Sequence, residues 1–333
     1  MKKKKISFSL FILLPLTILF FTACETVSSP PINSEVKMIT SPRVLPDDLS
    51  SINILFTKNE NDETYVNITN VGMDYKIVHN TIKEANHIQL APSGNNILYS
   101  SGEDEKGEYK TALYSHNLDT SKENRIIISP QRSSWISYRT PNFFPNEEQI
   151  IFQETNYEDN ISSLIILDPK SGSLNRIFSD NNINLWPIVS PDGKSILVIC
   201  GGMDINSREP GFQICRINLR TGSKKLITFD GDMHDTYFFT PDNQRVVYSE
   251  WETGGLFKII EKPYHKIFSV DVEGENRKYL LDFEGVIKAI SPDGQDIILE
   301  GRPNEDYPYS IYIVGIDGSN LRHLTYFDEF LAD

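Results

Sequence analysis

Short apolar runs punctuate this chain at near-regular intervals: Ile54–Phe56, Ile97–Tyr99, Ile150–Phe152, Ile196–Ile199, Val246–Tyr248 and Ile297–Leu299. Each is followed by a loop and a second β-rich run: Tyr65–Thr69, Ala112–Ser115, Leu164–Leu167, Ile214–Leu219, Ile267–Val270 and Ile311–Val314. Runs this short, rich in β-branched and aromatic residues and bounded by turn residues, predict strands. No stretch sustains a period of 3.6, so helix is predicted to be nearly absent.

The turn before each first run repeats as well. Ser190-Pro191-Asp192-Gly193 and Ser291-Pro292-Asp293-Gly294 are the clean copies. Thr240-Pro241-Asp242-Asn243, Ala91-Pro92-Ser93-Gly94 and Phe144-Pro145-Asn146 are looser, and Leu45-Pro46-Asp47-Asp48 is the most degenerate. Proline presets φ for one corner, and Asp, Asn or Gly tolerates the left-handed corner that follows. The prolines at 46, 92, 145, 191, 241 and 292 set a period of 46 to 53 residues. A second turn, as in Asp168–Gly172, Val272–Gly274 and Ile316–Gly318, leads into a last strand such as Lys225–Phe229 or Arg322–Thr325. Four short antiparallel strands written six times predict an all-β fold, a six-bladed β-propeller of four-stranded antiparallel blades. An open solenoid is the competing arrangement. The segment Val36–Thr40 is a candidate to close the ring by pairing with the last blade.

The Ser-Pro-Asp-Gly turns, the strands after them, and Ile311-Tyr312-Ile313 leading to Asp317-Gly318 and Leu324-Thr325 resemble TolB-type propeller repeats. The resemblance spans roughly residues 36–333 and implies a fold, not an activity. TolB proteins carry an α/β domain ahead of the propeller, to which nothing in this sequence corresponds. The prolyl-oligopeptidase-like relatives use the same repeats beside a hydrolase domain. Here no Gly-x-Ser-x-Gly elbow occurs, and no hydrolase domain is expected after Asp333.

The N-terminus reads as an address. Lys2–Lys5 precede an apolar run from Ile6 to Phe21, which ends in Phe21-Thr22-Ala23-Cys24. A basic segment, an apolar segment and small residues before a cysteine make a secretory signal that resembles the bacterial lipobox. An uncleaved anchor is the alternative, since the run is almost long enough to span. The lipobox resemblance implies a signal peptide over residues 1–23 and a diacylglyceryl group on Cys24. Residues 24–35, with Ser28, Ser29, Pro30 and Pro31, then read as a flexible tether. The expected location is extracytoplasmic, with the protein held on a membrane through Cys24.

Charge narrows the partners. Lys plus Arg number 32 against 46 Asp plus Glu, a formal charge of −14 and a pI near 4.9. Such a chain repels phosphate backbones, so no nucleic-acid partner is expected. No calcium loop, phosphate-cradling glycine loop or His-Glu-x-x-His spacing occurs, so no cofactor and no metal are assigned.

Strand alternation sorts the connections. The Pro-Asp-Gly and Asp-Gly turns share one rim, and the longer, varied loops emerge on the other. Varied loops on a repetitive scaffold mark the candidate binding face. They carry acidic residues from Glu103 to Glu108, at Glu158 and Asp159, from Asp230 to Asp235 and at Glu305 and Asp306. That content reads either as a solubilising surface or as a funnel for a basic segment. Trp135, Trp186, His234, Tyr237, Phe257 and Tyr307 are the candidate contact residues; covering the inner strands is the alternative role for the aromatics, and a surface histidine for His234.

Cys200 and Cys215 stand in consecutive strands of one repeat. A hairpin symmetric about residues 207 and 208 brings them face to face for a disulfide, whereas a one-residue slip leaves two buried thiols. The function that follows is a lipid-anchored cell-envelope scaffold recognising a protein segment or glycan. The alternatives are a propeller lyase or hydrolase acting on glycans, and a passive structural lipoprotein.

Overall fold

The computed structural model describes residues 36–44, 52–60, 63–70, 80–83, 85–105, 108–130, 136–180, 185–200, 213–228, 233–251, 265–291 and 293–323. Every regular element among them is a strand. β1 (Val36–Val44), β2 (Ile52–Glu60), β3 (Glu63–Asn70) and β4 (Asn80–Lys83) form the first antiparallel sheet. β5 (Asn86–Leu90), β6 (Asn96–Glu105), β7 (Glu108–Asn117) and β8 (Lys122–Ile128) form the second. The third holds β9 (Ile136–Phe143), β10 (Ile150–Asn156), β11 (Ile161–Asp168) and β12 (Ser173–Asp180). The fourth holds β13 (Ile188–Val189), β14 (Ser195–Cys200), β15 (Gln213–Asn218) and β16 (Lys224–Leu226).

The last two repeats share one strand. β17 (Met233–Phe239), β18 (Arg245–Trp251), β19 (His265–Asp271), β20 (Lys278–Ile290), β21 (Asp296–Arg302), β22 (Ser310–Gly315) and β23 (Arg322–His323) make one seven-stranded sheet. Up to Phe283, β20 pairs with β19; from Glu284 onward it pairs with β21. It is the outer strand of one repeat and the inner strand of the next. At the handover Gly285 faces Gly301, with φ of +154° and +144°. A Cβ on either would stand 2.1 Å from the facing strand's carbonyl oxygen, of Glu300 or Glu284. Only glycine fits this approach.

The expectation for residues 36–40 is corrected. Val36–Val44 hydrogen-bonds to β2 and belongs to the first sheet, not to the last. Its contacts with the end of the chain are side by side: β1 lies against β20 as well as β5.

The repeated turn has a physical cause. In all five described copies the fourth residue donates its N–H to the first residue's carbonyl, over 2.8–2.9 Å, from Gly94, Glu147, Gly193, Asn243 and Gly294. All five of these donors have positive φ. In three copies the first residue also bears a hydroxyl, which donates to the turn aspartate: Ser190 to Asp192 over 2.6 Å, Thr240 to Asp242 over 2.5 Å and Ser291 to Asp293 over 2.6 Å. The same hydroxyl accepts the N–H of Ser195, Arg245 or Asp296, so it locks the hairpin from inside. Adjacent turns also touch. The Ser93 hydroxyl donates to Glu147 over 3.0 Å, and a Cβ on Gly193 would meet Pro145 at 3.6 Å. This rim is short, regular and mutually braced.

The core lies between neighbouring sheets. Leu98 and Leu113 of the second sheet pack with Phe152 and Ile165 of the third, and Ile151 and Leu164 with Val198 and Ile217 of the fourth. Because the fourth sheet is covered on both faces, its second strand reads as a continuous apolar run. Ser195–Cys200 is buried at every position.

Candidate functional site

The innermost strands bend part-way along their length. Register shifts interrupt β1 between Ile39 and Arg43, β5 between Asn86 and Gln89, β9 where it faces Ile151–Gln153, β17 between His234 and Tyr237, and β20 between Ile287 and Ala289. Bulges of this kind re-aim side chains next to binding sites. In three consecutive repeats the bend falls on a non-glycine residue with left-handed backbone, five positions before the turn proline. These are His87 (φ +50°), Thr140 (φ +46°) and Trp186 (φ +42°). Such conformations cost about 1–3 kcal/mol each and persist where the surrounding structure holds them.

Between the first two of these bends lies a polar cavity of about 380 Å³. β5 contributes Asn86 and His87; β6 gives Ser100, Ser101 and Gly102; β7 gives Thr111; β9 gives Ile136–Arg139, and Tyr157 closes the edge. Hydroxyls stand here where the equivalent strand of the fourth repeat carries Ile199 and Cys200. Several already have partners. Ser100 donates to the Asn86 carbonyl over 3.1 Å, and Thr111 accepts the Tyr138 N–H over 2.7 Å. Among the described residues, the buried Ser137 Oγ has no hydrogen-bond partner. Arg139 lies over the Tyr157 ring at 5.5 Å and, among the described residues, has no carboxylate partner. Tyr138 points the other way along the strand, edge-on to Phe152. Burial and neighbouring Glu154 push its hydroxyl up to about 12, so it stays protonated at neutral pH.

The residues singled out from sequence scatter. Trp186 is 37% exposed and Tyr307 49%, on connections of different repeats. Tyr237 is a correction: it is buried rather than displayed. Its hydroxyl donates to the carbonyls of Leu185 (3.2 Å) and Trp186 (2.5 Å), pinning the segment that presents Trp186. The Leu185 N–H in turn donates to Gln153 in the preceding repeat, over 2.9 Å. Tyr237 therefore supports the face from below. The His234 backbone pairs with Glu250 in β17–β18. The side chain of His234, and all of Cys24, Trp135 and Phe257, lie outside the described residues.

Cys200 and Cys215 are joined by a disulfide with their Cα atoms 5.8 Å apart. The register is not the symmetric one, since Cys200 faces Gln213 and Cys215 faces Val198. A shift of two residues keeps both sulfurs on one side of the hairpin, whereas a shift of one separates them. Among the described residues, no group of three or more His, Cys, Asp or Glu side chains is placed to hold a metal ion.

Sequence reasoning overlooked Arg139. The available signal was a cation inside an inner strand, Ile136-Ser137-Tyr138-Arg139, next to a strand carrying the small hydroxyls Ser100-Ser101 where the fourth repeat carries Ile199-Cys200.

No sequence family and no curated protein matches this chain. Solved structures do. TolB from Acinetobacter baumannii superposes with a TM-score of 0.61 at 18% identity, covering 82% of this chain. The fold is a TolB-like β-propeller. The chain spans 63% of that TolB's length. An oligogalacturonate lyase from Vibrio parahaemolyticus gives a TM-score of 0.58 at 13% identity, covering 87% of this chain and 78% of its own. The β-propeller domain of the Trilobed protease from Pyrococcus furiosus gives 0.53 at 13% identity, covering 86% and 82%. Likeness at these identities extends to the fold alone, since one propeller hosts unrelated activities.

Proposed function

We propose that this chain is a lipid-anchored, extracytoplasmic six-bladed propeller whose loop face binds a protein segment or glycan of the cell envelope. Two features support the blade count: β20 serves two successive blades, and β1 lies beside both β20 and β5. The ring then closes by packing, without a strand from one terminus completing the blade of the other. The Pyrococcus neighbour is described as having an open velcro topology, which suits that arrangement.

The observation that carries the binding reading is the contrast between the rims. One is a ring of short, braced turns. The other holds bent inner strands, a polar cavity and an exposed Trp186 backed by Tyr237. Rigid presentation of such groups lowers the ordering entropy lost on binding. The membrane attachment rests on Phe21-Thr22-Ala23-Cys24.

In-cell crosslinking, detergent extraction and mass spectrometry of wild type, Trp186→Ala and Phe257→Asp test the binding. One dominant envelope protein or glycan, lost in a variant, is the expected result. No enriched partner in wild type would set the scaffold reading aside. For the anchor, Cys24→Ala is expected to move the protein from the membrane fraction to the soluble one; unchanged membrane retention counts against lipidation.

A further inference from the structure

Arg139 is the one permanently charged side chain of the cavity wall. Its guanidinium is half-buried and steadied over Tyr157 at 5.5 Å, yet among the described residues no carboxylate meets it. Elsewhere in the same structure arginines are matched to acids: Arg176 to Glu154 at 2.6 Å, Arg216 to Glu273 at 2.7 Å, and Arg302 to Glu284 through both its Nε and Nη2 at 2.7 Å. Arg220 also lacks a carboxylate among the described residues, but it lies exposed on a turn, whereas Arg139 is partly buried. Two positions earlier on the same strand, Ser137 is 6% exposed and its hydroxyl has no hydrogen-bond partner among the described residues. A buried hydroxyl left so costs on the order of 1–3 kcal/mol unless something occupies the cavity.

A planar fork of donors beside a lone hydroxyl matches a planar carboxylate. The net negative charge of the protein disfavours a dianion such as phosphate, which one guanidinium cannot balance. A volume of about 380 Å³ exceeds what a bare ion fills and lies at the lower end of small-molecule sites. The rest of the wall carries Ser100, Ser101 and Thr111 and so suits hydroxyl or amide groups rather than a hydrocarbon tail. We propose that the cavity between the second and third repeats is a binding site for a small monocarboxylate bearing hydroxyl or amide groups, with its carboxylate on Arg139 and Ser137. This site stands whether or not the loop face also docks a macromolecule.

The test is calorimetric titration of the full chain in detergent with gluconate, lactate and N-acetylglycine. Glucose serves as the neutral control, butyrate as the apolar acid and inorganic phosphate as the ion. At least one of the first three is expected to bind in the millimolar range or tighter, ahead of all three controls. Arg139→Gln is expected to weaken that binding at least tenfold and Arg139→Lys by less, because lysine keeps the charge without the fork. Ser137→Ala, which removes only the orphan hydroxyl, should weaken it severalfold without lowering the melting temperature; it serves as the deciding variant if Arg139→Gln fails to fold. Absence of binding by all three carboxylates, equal binding of glucose or phosphate, or affinity indifferent to both Arg139 and Ser137 substitutions would overturn the proposal.

Discussion

The second to fourth repeats and the last two bend the same strand by different means. In the earlier repeats the bend is placed on His87, Thr140 and Trp186, side chains that resist a left-handed backbone. In the later ones the equivalent residues are Thr236 and Ile287, and hydrogen bonds carry the bend. Thr236 receives the Ile287 N–H at 3.2 Å, its own N–H donates to Ser249 at 3.1 Å, and the Gly285–Gly301 pair lets β20 pass close to β21. The charged groups divide similarly. Glu284 holds Arg302 and Glu300 holds Lys288 at 2.6 Å, whereas Arg139 is left to the cavity. Unpaired buried atoms occur in both regions, Ser137 Oγ and Thr140 Oγ1 in the earlier and Asn243 Oδ1 and Ser310 Oγ in the later, but the earlier region sets its orphan hydroxyl Ser137 beside a cavity.

The contrast is most severely tested at the glycine pair. Gly285→Ala forces a Cβ to 2.1 Å from a carbonyl oxygen and is expected to cost at least about 3 kcal/mol in urea unfolding. A cost below about 1 kcal/mol would break the picture of a tightly tied later region. Next comes the disulfide, which closes a separation of 15 residues in the fourth repeat. Reduction, or Cys200→Ala with Cys215→Ala, should lower stability by about 3 kcal/mol; an unchanged denaturation midpoint with and without reductant would show that the bond contributes nothing.

A smaller effect concerns His116 in the second repeat. Burial lowers its pKa below the ordinary 6.5, partly offset by Glu123 at 3.9 Å, and neither ring nitrogen has a hydrogen-bond partner. The unfolded chain therefore takes up a proton as pH falls through 6.5 while the folded one does not. Stability should decline below that pH until the folded pKa is reached, by up to about 1.4 kcal/mol per pH unit. Because carboxylates contribute their own slope, the quantity to measure is wild type minus His116→Phe between pH 7 and 5. Parallel curves would remove His116 from the account. The smallest change is a gain. Thr140→Gly relieves a left-handed β-branched residue whose Oγ1 is also buried and unpaired, and should raise stability by about 1 kcal/mol. The matching Thr236→Gly should instead lose stability, since it removes the hydroxyl that bridges two repeats.

Much of the fold was legible because its determinants are local. The Ser-Pro-Asp-Gly signature needs a hydroxyl, an acceptor and a left-handed residue within four positions, and the turns form wherever that chemistry occurs. Apolar runs at Ile196–Ile199 and Ile297–Leu299 likewise announced strands buried on both faces. The candidate face was read less well. Tyr237 looked like a display residue, being aromatic and next to an acidic loop. Whether an aromatic ring faces water or core depends on the bulge between His234 and Tyr237, which shifts the strand's alternation and has no marker in sequence.

By itself the sequence determined the repeat, the turn chemistry, the strand content and the acidic balance, all set by residues within a few positions of one another or by their sum. Tertiary structure decided what depends on distant register. It fixed the two-residue offset that joins Cys200 to Cys215, the handover of β20 between two repeats, and the side-by-side packing of β1 on β20. It also decided that Arg139 lies over Tyr157 in the wall of the same cavity as Ser137, with no acid matched to it among the described residues. Pairing is a property of two chain segments at once, so such partners appear only after the strands have packed.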